Sequence, residues 1–154
     1  MKRIIIFLVI IFLNQNTFAE EFSGLPKIID GDTIHINKKK FRLEGIDAPE
    51  TRQKCKKNQK EYFCGLLSKN ILEKKIKNLK VKCIISGVDR YKRYLATCYR
   101  GDVNLNKWMV RSGHAVAYKR YSKKYLSDEN FAKSNKLGMW SGSFLVPEKW
   151  RKMN

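Results

Sequence analysis

The sequence predicts an α+β fold, a small five-stranded β-barrel of OB type carrying three α-helices. Three observations point there. Short strand-like stretches come as three before and two after a long helical period. The strands are joined by tight turns, so neighbours pair antiparallel. Two further helical stretches follow the last strand, which sets helices beside the sheet instead of alternating with it.

Taken in order, residues 27–36, KIIDGDTIHI, hold a strand start, an Asp-Gly turn and an alternating strand with Ile34 and Ile36 on one face. Asn37 with Lys38–Lys40 makes the next turn. Residues 41–46 form the third strand, with Phe41, Leu43 and Gly45 on one side; Pro49, which has no N–H to give, ends its pairing. Residues 50–60 read as an exposed basic loop. From Glu61 to Leu79 the period turns helical, with Phe63, Leu66, Leu67, Leu72 and Ile76 among the recurring apolar positions. VKCIIS (81–86) and YLATCY (94–99) are strands joined through VDRYKR (88–93), a hairpin centred near Arg90–Tyr91. Residues 104–112 form a short helix stopped by Gly113, residues 115–118 are extended, and a final helix covers 122–137 before Gly138. Residues 144–154 are a C-terminal tail. Residues 20–154 thus read as a single domain.

Residues 1–19 stand apart. MKR is a positive start, residues 4–13 are a short apolar run, and Thr17-Phe18-Ala19 ends in a small residue, so a signal peptide cleaved after Ala19 is expected. A run this short does not reach the roughly twenty residues a bilayer span needs. Export to the periplasm, cell surface or medium follows, with no membrane attachment afterwards and a monomer as the expected state. The chain carries +19 formal charges; without Lys2 and Arg3, 31 basic side chains still face 14 acidic ones. Such a charge says nothing about fold but draws polyanions. Four cysteines, an even number in an exported chain, suggest two disulfides, and no C-x-x-C or C-x-x-H pair suggests zinc. Three pairings are possible. Cys83 and Cys98 are equidistant from the hairpin centre and lie opposite each other, which leaves Cys55 with Cys64.

Against this basic background the acids are informative. DGDT (30–33) alone is a turn signal. In a small meander, however, the turn before strand two and the loop after strand three share one end of the sheet, so Asp32 and Asp47 converge. Hard oxygen ligands of this kind suit Ca2+ or Mg2+. Arg42 and Arg93 add planar guanidiniums that can grip phosphate oxygens two at a time, and Glu50 adds a carboxylate able to deprotonate water. His35 and His114 read as structural, the three tryptophans as packing residues, and Glu44 as a strand surface charge.

Three separated motifs, DGDT, FRLEGIDAPET (41–51) and DRYKRYLA (89–96), resemble the staphylococcal nuclease family in order and spacing. LNKWMVRSGHAVAY (105–118) and SKKYLSDENFAKSNKLGMWSG (122–142) fit it too, so the resemblance covers about residues 26–143. It implies a nuclease cleaving DNA and RNA with one Ca2+ and leaving 3′-phosphate ends. By position, Asp32, Asp47 and the backbone carbonyl of Ala48 would ligate the ion. Glu50 would be the general base, Arg42 and Arg93 the catalytic arginines, and Tyr91 and Tyr118 would lie near the nucleotide phosphate. The sequence departs from that pattern at Ala48, which replaces a threonine and is harmless to a ligand that is the backbone carbonyl, and at Lys92, which replaces a common glycine in the DRYGR turn and so bears on where Arg93 is placed. Two alternatives come from other classes. A non-catalytic OB-fold nucleic-acid-binding protein would be free to lose the acids and arginines, all five of which remain. A cationic surface-active protein would not need Asp32, Asp47 and Glu50 together.

Overall fold

The computed structural model describes residues 20–154; the expected signal peptide, residues 1–19, lies outside the described residues. β1 (Glu21–Gly24) and β2 (Pro26–Ile28) are one extended stretch interrupted only at Leu25. β2 turns back into β3 (Thr33–Ile36), and β3 into β4 (Lys39–Leu43) through Asn37 and Lys38, both at positive φ. After a helix come β8 (Val81–Val88) and β9 (Tyr94–Arg100), with the short β10 (Val103–Asn104) paired antiparallel to β9. The sheet path runs β1-β8-β9-β4-β3-β2, so it starts and ends on neighbouring residues and curls into a nearly closed barrel. Pairings along it are antiparallel except β4 with β9, which run parallel with Phe41 beside Tyr94.

One face of each strand fills the barrel. Ile34, Ile36, Phe41, Leu43 and Val81 are fully buried there, each contributing roughly 1.5–3 kcal/mol by leaving water. Helix α1 (Cys64–Ile76) presents Cys64, Ser68, Leu72 and Ile76 inward, a row at steps of four. Helix α2 (Leu105–Arg111) is capped by Asn104, whose side chain accepts the Lys107 N–H at 2.9 Å. Helix α3 (Leu126–Ser134) packs beside α2, and a 3-10 turn (Gly138–Ser141) leads to α4 (Pro147–Met153). Among the described residues, no helix is long and apolar enough to cross a membrane.

The barrel and its helices match the expected α+β class; several details do not match. β1 is too polar to stand out as a strand, and it forms because β8 offers it an edge. The third strand ends at Leu43, because Gly45 at φ 77° turns the chain; Ile46–Asp47 then become β5, paired with β11 (Val116–Ala117). The expected loop at 50–60 contains a hairpin, β6 (Cys55–Lys57) with β7 (Lys60–Tyr62), turning at Asn58 and Gln59 with φ 49° and 63°. Its outward lysines hide the alternation. Phe63, Leu66 and Leu67, expected on the inward helix face, are exposed. The final helix starts at Leu126 rather than 122, and residues 144–154 contain α4 instead of running on as a tail. Pro147 at the first turn favours that helix start.

Both expected disulfides are present. Cys83 faces Cys98 in the β8–β9 register, and Cys55 is bonded to Cys64, tying β6 to the first residue of α1. Cross-linking across 15 residues contributes about 3 kcal/mol on chain-entropy grounds.

Glu129 joins α3 to β11. It is 2% exposed, accepts the Ala117 N–H at 3.3 Å and pairs with Lys119 and Lys133 at 2.8 Å each. Burial alone would raise its pKa; the lysine bonds outweigh it and hold the carboxyl below its ordinary 4.5. The folded state therefore favours the carboxylate. The resulting stability is complete above the unfolded value and is lost as pH falls through the lower folded one. Glu129→Gln should cost about 1–3 kcal/mol at neutral pH. In urea titrations it should also flatten the fall in stability below pH 4.5.

Candidate active site

The site begins at the β2–β3 turn. The Asp30 carboxylate accepts the Asp32 N–H at 2.9 Å and fixes the turn. A Cβ at Gly31 would collide with the side chains of Ser68 and Ala48, so only glycine lets the turn lie against α1. Asp32 is almost wholly buried. Its Oδ2 accepts the Ala48 N–H at 2.6 Å, and its Oδ1 accepts from the Thr33 hydroxyl at 3.1 Å and from Arg42. Burial pushes the neighbouring Asp30 carboxyl above its ordinary pKa despite the Arg42 charge.

Arg42 stands opposite Thr33 in the β3–β4 register, which is why it reaches this turn. It also donates from Nη2 to Asp47 Oδ1 at 3.0 Å, so one guanidinium bridges the two aspartates. Asp47, on β5, has no exposure at all. Burial pulls the Arg42 pKa below the usual arginine value, while Asp47 acts to keep its proton on.

A second arginine reaches the same carboxylate from the far end of the chain. Arg151, on α4, donates from Nη1 to Asp47 Oδ1 and from Nη2 to Asp47 Oδ2, both at 3.0 Å. Its Nη1 also reaches Glu50 Oε1 at 3.0 Å. Burial opposes the charge on Arg151, but the bonds to Asp47 and Glu50 more than offset it, and its pKa stands above the usual arginine value.

Arg93 is anchored differently. Asp89 accepts the backbone N–H groups of Tyr91 and Arg93 at 2.8 and 3.0 Å and takes the Arg93 side chain on its other oxygen at 2.8 and 2.7 Å. Burial would raise the Asp89 pKa; these bonds hold it below the ordinary value. Tyr91 is 61% exposed, with Arg90 and Arg93 over its ring at 4.8 and 5.3 Å. Tyr118 meets Tyr121 edge-on at 4.8 Å, and burial raises its pKa, which keeps the hydroxyl protonated.

Arg42, Glu50, Tyr91, Arg93, Tyr118 and Arg151 line one open groove of about 740 Å³. Asp32 and Asp47 sit behind that wall, joined through Arg42. Among the described residues, no three His, Cys, Asp or Glu converge as a ready metal cluster. The carboxylates of Asp32, Asp47 and Glu50 are nevertheless hard oxygen donors of the kind Ca2+ or Mg2+ takes. Arg151, Asp89 and Tyr121 were not foreseen from the sequence. Asp89 had a signal, four residues before Arg93 in the DRYKR turn; Arg151 had none, being one cation in a highly basic chain.

A barrel that directs arginines, a glutamate and tyrosines into one groove defines a hydrolase of the nuclease class. The chain belongs to the staphylococcal nuclease family: the family described as Staphylococcal nuclease homologue matches residues 40–142. A Haemophilus influenzae protein named an uncharacterized endonuclease is 36% identical over 82% of this chain and 70% of its own length. An Escherichia coli O157:H7 protein of the same description is 30% identical over 96% of this chain and 95% of its own length. A Rhizobium meliloti protein named succinoglycan biosynthesis protein ExoI is 37% identical over 79% of this chain, which spans 66% of that relative.

The DRYKR turn carries a residual strain. Lys92 sits at φ 59°, a conformation that glycine adopts without a Cβ penalty, and its N–H closes the turn on Asp89 O at 3.0 Å. Relieving that left-handed conformation is worth roughly 1 kcal/mol. Glycine returns part of that gain by loosening the unfolded chain, so Lys92→Gly should raise stability by less than about 1 kcal/mol in urea unfolding.

Proposed function

We propose that the protein is an exported nuclease that hydrolyses phosphodiester bonds of DNA and RNA with one Ca2+ and leaves 3′-phosphate ends. The observation that carries this reading is the groove itself, where Arg42, Arg93 and Glu50 face one space. The surplus of basic side chains supports a polyanionic substrate. Two disulfides and the leader-like residues 1–19 support export, to the periplasm, cell surface or medium. The protein acts as a monomer.

Asp32, Asp47 and the Ala48 carbonyl would hold the ion. When bound, it supplies positive charge that polarises the phosphoryl group. Arg42 and Arg93 donate N–H bonds to the non-bridging phosphate oxygens as charge builds on them. Each guanidinium has five donors, so its internal bonds to Asp32, Asp47 or Asp89 leave others for substrate. Glu50 accepts a proton from the attacking water as its oxygen bonds to phosphorus. The bond to the 5′-oxygen breaks, that oxygen takes a proton from solvent water, Glu50 returns its proton to solvent, and the phosphate stays on the 3′ side. The Tyr91 and Tyr118 hydroxyls hold the nucleotide phosphate in register.

The mature protein should degrade both DNA and RNA with Ca2+ and stop in EDTA, read on gels. Fragments should become extendable by a polymerase only after phosphatase treatment. Persistent cutting in chelator would remove the metal from the proposal. Glu50→Gln should lower turnover by about 10²–10⁴-fold with an unchanged melting temperature. Arg42→Lys should be comparably severe, since lysine offers no planar fork.

A further inference from the structure

Arg151 is absent from the expected site, yet it makes three of the bonds that organise it. It takes both oxygens of Asp47 and one of Glu50. We propose that Arg151 is a displaceable internal cation: α4 seats a guanidinium on Asp47, a carboxylate the metal needs, and Ca2+ exchanges with it. The inference rests on the Ca2+-dependent reading above and names a control on that same site.

Three observations carry it. The first is occupancy. Asp47 Oδ1 already accepts from both Arg42 and Arg151, and Oδ2 accepts from Arg151, so three of the carboxylate's four lone-pair sites are taken and an ion that binds it meets the Arg151 charge on both oxygens. Arg42 is held from the barrel wall and is nearly buried; Arg151 is one-third exposed, which makes it the partner that can leave.

The second is the way α4 is held. Beyond Arg151, its side-chain tie to the body is the exposed Arg120–Glu148 pair at 3.2 Å, while Lys152 pairs with Glu148 within the helix at 3.3 Å. Exposed pairs of this type contribute little. Pro147 is buried, and Gln53 donates to the Leu145 carbonyl at 2.7 Å, so the segment stays hinged at its start while its far end swings. α4 has seven residues, and its Met153 is exposed, so its release uncovers little core.

The third is chemistry. A guanidinium and a divalent ion compete for the Asp47 carboxylate, and the guanidinium is the more weakly hydrated of the two. Its loss to water is therefore compensated less than a lysine's would be, and it holds the site closed until an ion of higher charge density arrives. Once displaced, Arg151 lies at the rim of the groove it already lines.

The test compares the full mature chain with Arg151→Gln and Arg151→Lys. Ca2+ binding is measured by calorimetry, and amide hydrogen exchange across 148–153 is measured with and without Ca2+. Arg151→Gln should bind Ca2+ about tenfold more tightly, the equivalent of one charged hydrogen bond that need not be broken, with Arg151→Lys between. In the unaltered protein Ca2+ should speed exchange across α4; in Arg151→Gln exchange should be fast already and insensitive to the ion. Equal or weaker Ca2+ binding by Arg151→Gln overturns the proposal, as does α4 exchange that Ca2+ slows or leaves alone. If Arg151→Gln does not fold, the exchange measurement on the unaltered protein decides alone. The two readings fail separately. A protein that cuts nucleic acid but binds Ca2+ no better without Arg151 loses the displaceable cation and keeps the nuclease. One that cuts nothing, yet gains Ca2+ affinity in Arg151→Gln, does the reverse.

Discussion

A carboxylate with no access to water must have its charge answered from within, and Asp47 sets that demand. It lies on a two-residue strand, walled by β11, with no exposed surface. Leaving such a charge without partners would cost several kcal/mol. Arg42 answers it from the barrel wall and Arg151 from the last helix, so residues 42, 47 and 151 are brought to one point. The low local dielectric that makes the demand also strengthens each bond that meets it. Arg42 then carries the constraint on to Asp32, and Arg151 carries it on to Glu50.

The surrounding residues keep that point in place. Glu129 holds β11 against α3, and β11 holds β5. Asn106, fully buried, donates to the carbonyls of Glu44 and Ala96 at 2.9 and 3.0 Å and accepts the Cys98 N–H at 3.0 Å. It thereby stitches the turn before β5 to β9. Glu44, with no assigned role in the sequence, contributes that backbone carbonyl and accepts the Ser86 hydroxyl at 2.7 Å. Ser68 donates to the His114 carbonyl at 2.7 Å, so the α1 residue that packs against Gly31 is also tied to the segment before β11.

The sequence made the barrel legible where local chemistry and pairing agree. The Asp-Gly turn, the alternation of Ile34 and Ile36, and the equal distances of Cys83 and Cys98 from their turn each have one short-range cause. It was silent where the cause is distant. Glu21–Gly24 becomes a strand only because β8 leaves an edge, and the basic hairpin at 55–62 depends on the Cys55–Cys64 bond and on Lys56 pairing with Ser143. Phe63, Leu66 and Leu67 misled because they keep helical spacing while facing outward. For the site, motif spacing pointed to Arg42, Glu50 and Arg93, which do line one groove. Arg151 escaped because a single cation among 33 carries no periodicity and no motif; only the folded position of α4 reveals it.

The closing of the barrel on itself has a kinetic consequence. β1 finds its partner about sixty residues later in β8, and β4 finds its parallel partner in β9, more than fifty residues on. The ring therefore cannot shut until nearly two-thirds of the chain has been made, and pairing over such separations is slow because loop closure comes first. Until then β2, β3 and β4 can pair only among themselves, and β1 has no strand to join. A chain that completes its architecture this late stays open and threadable through most of its synthesis.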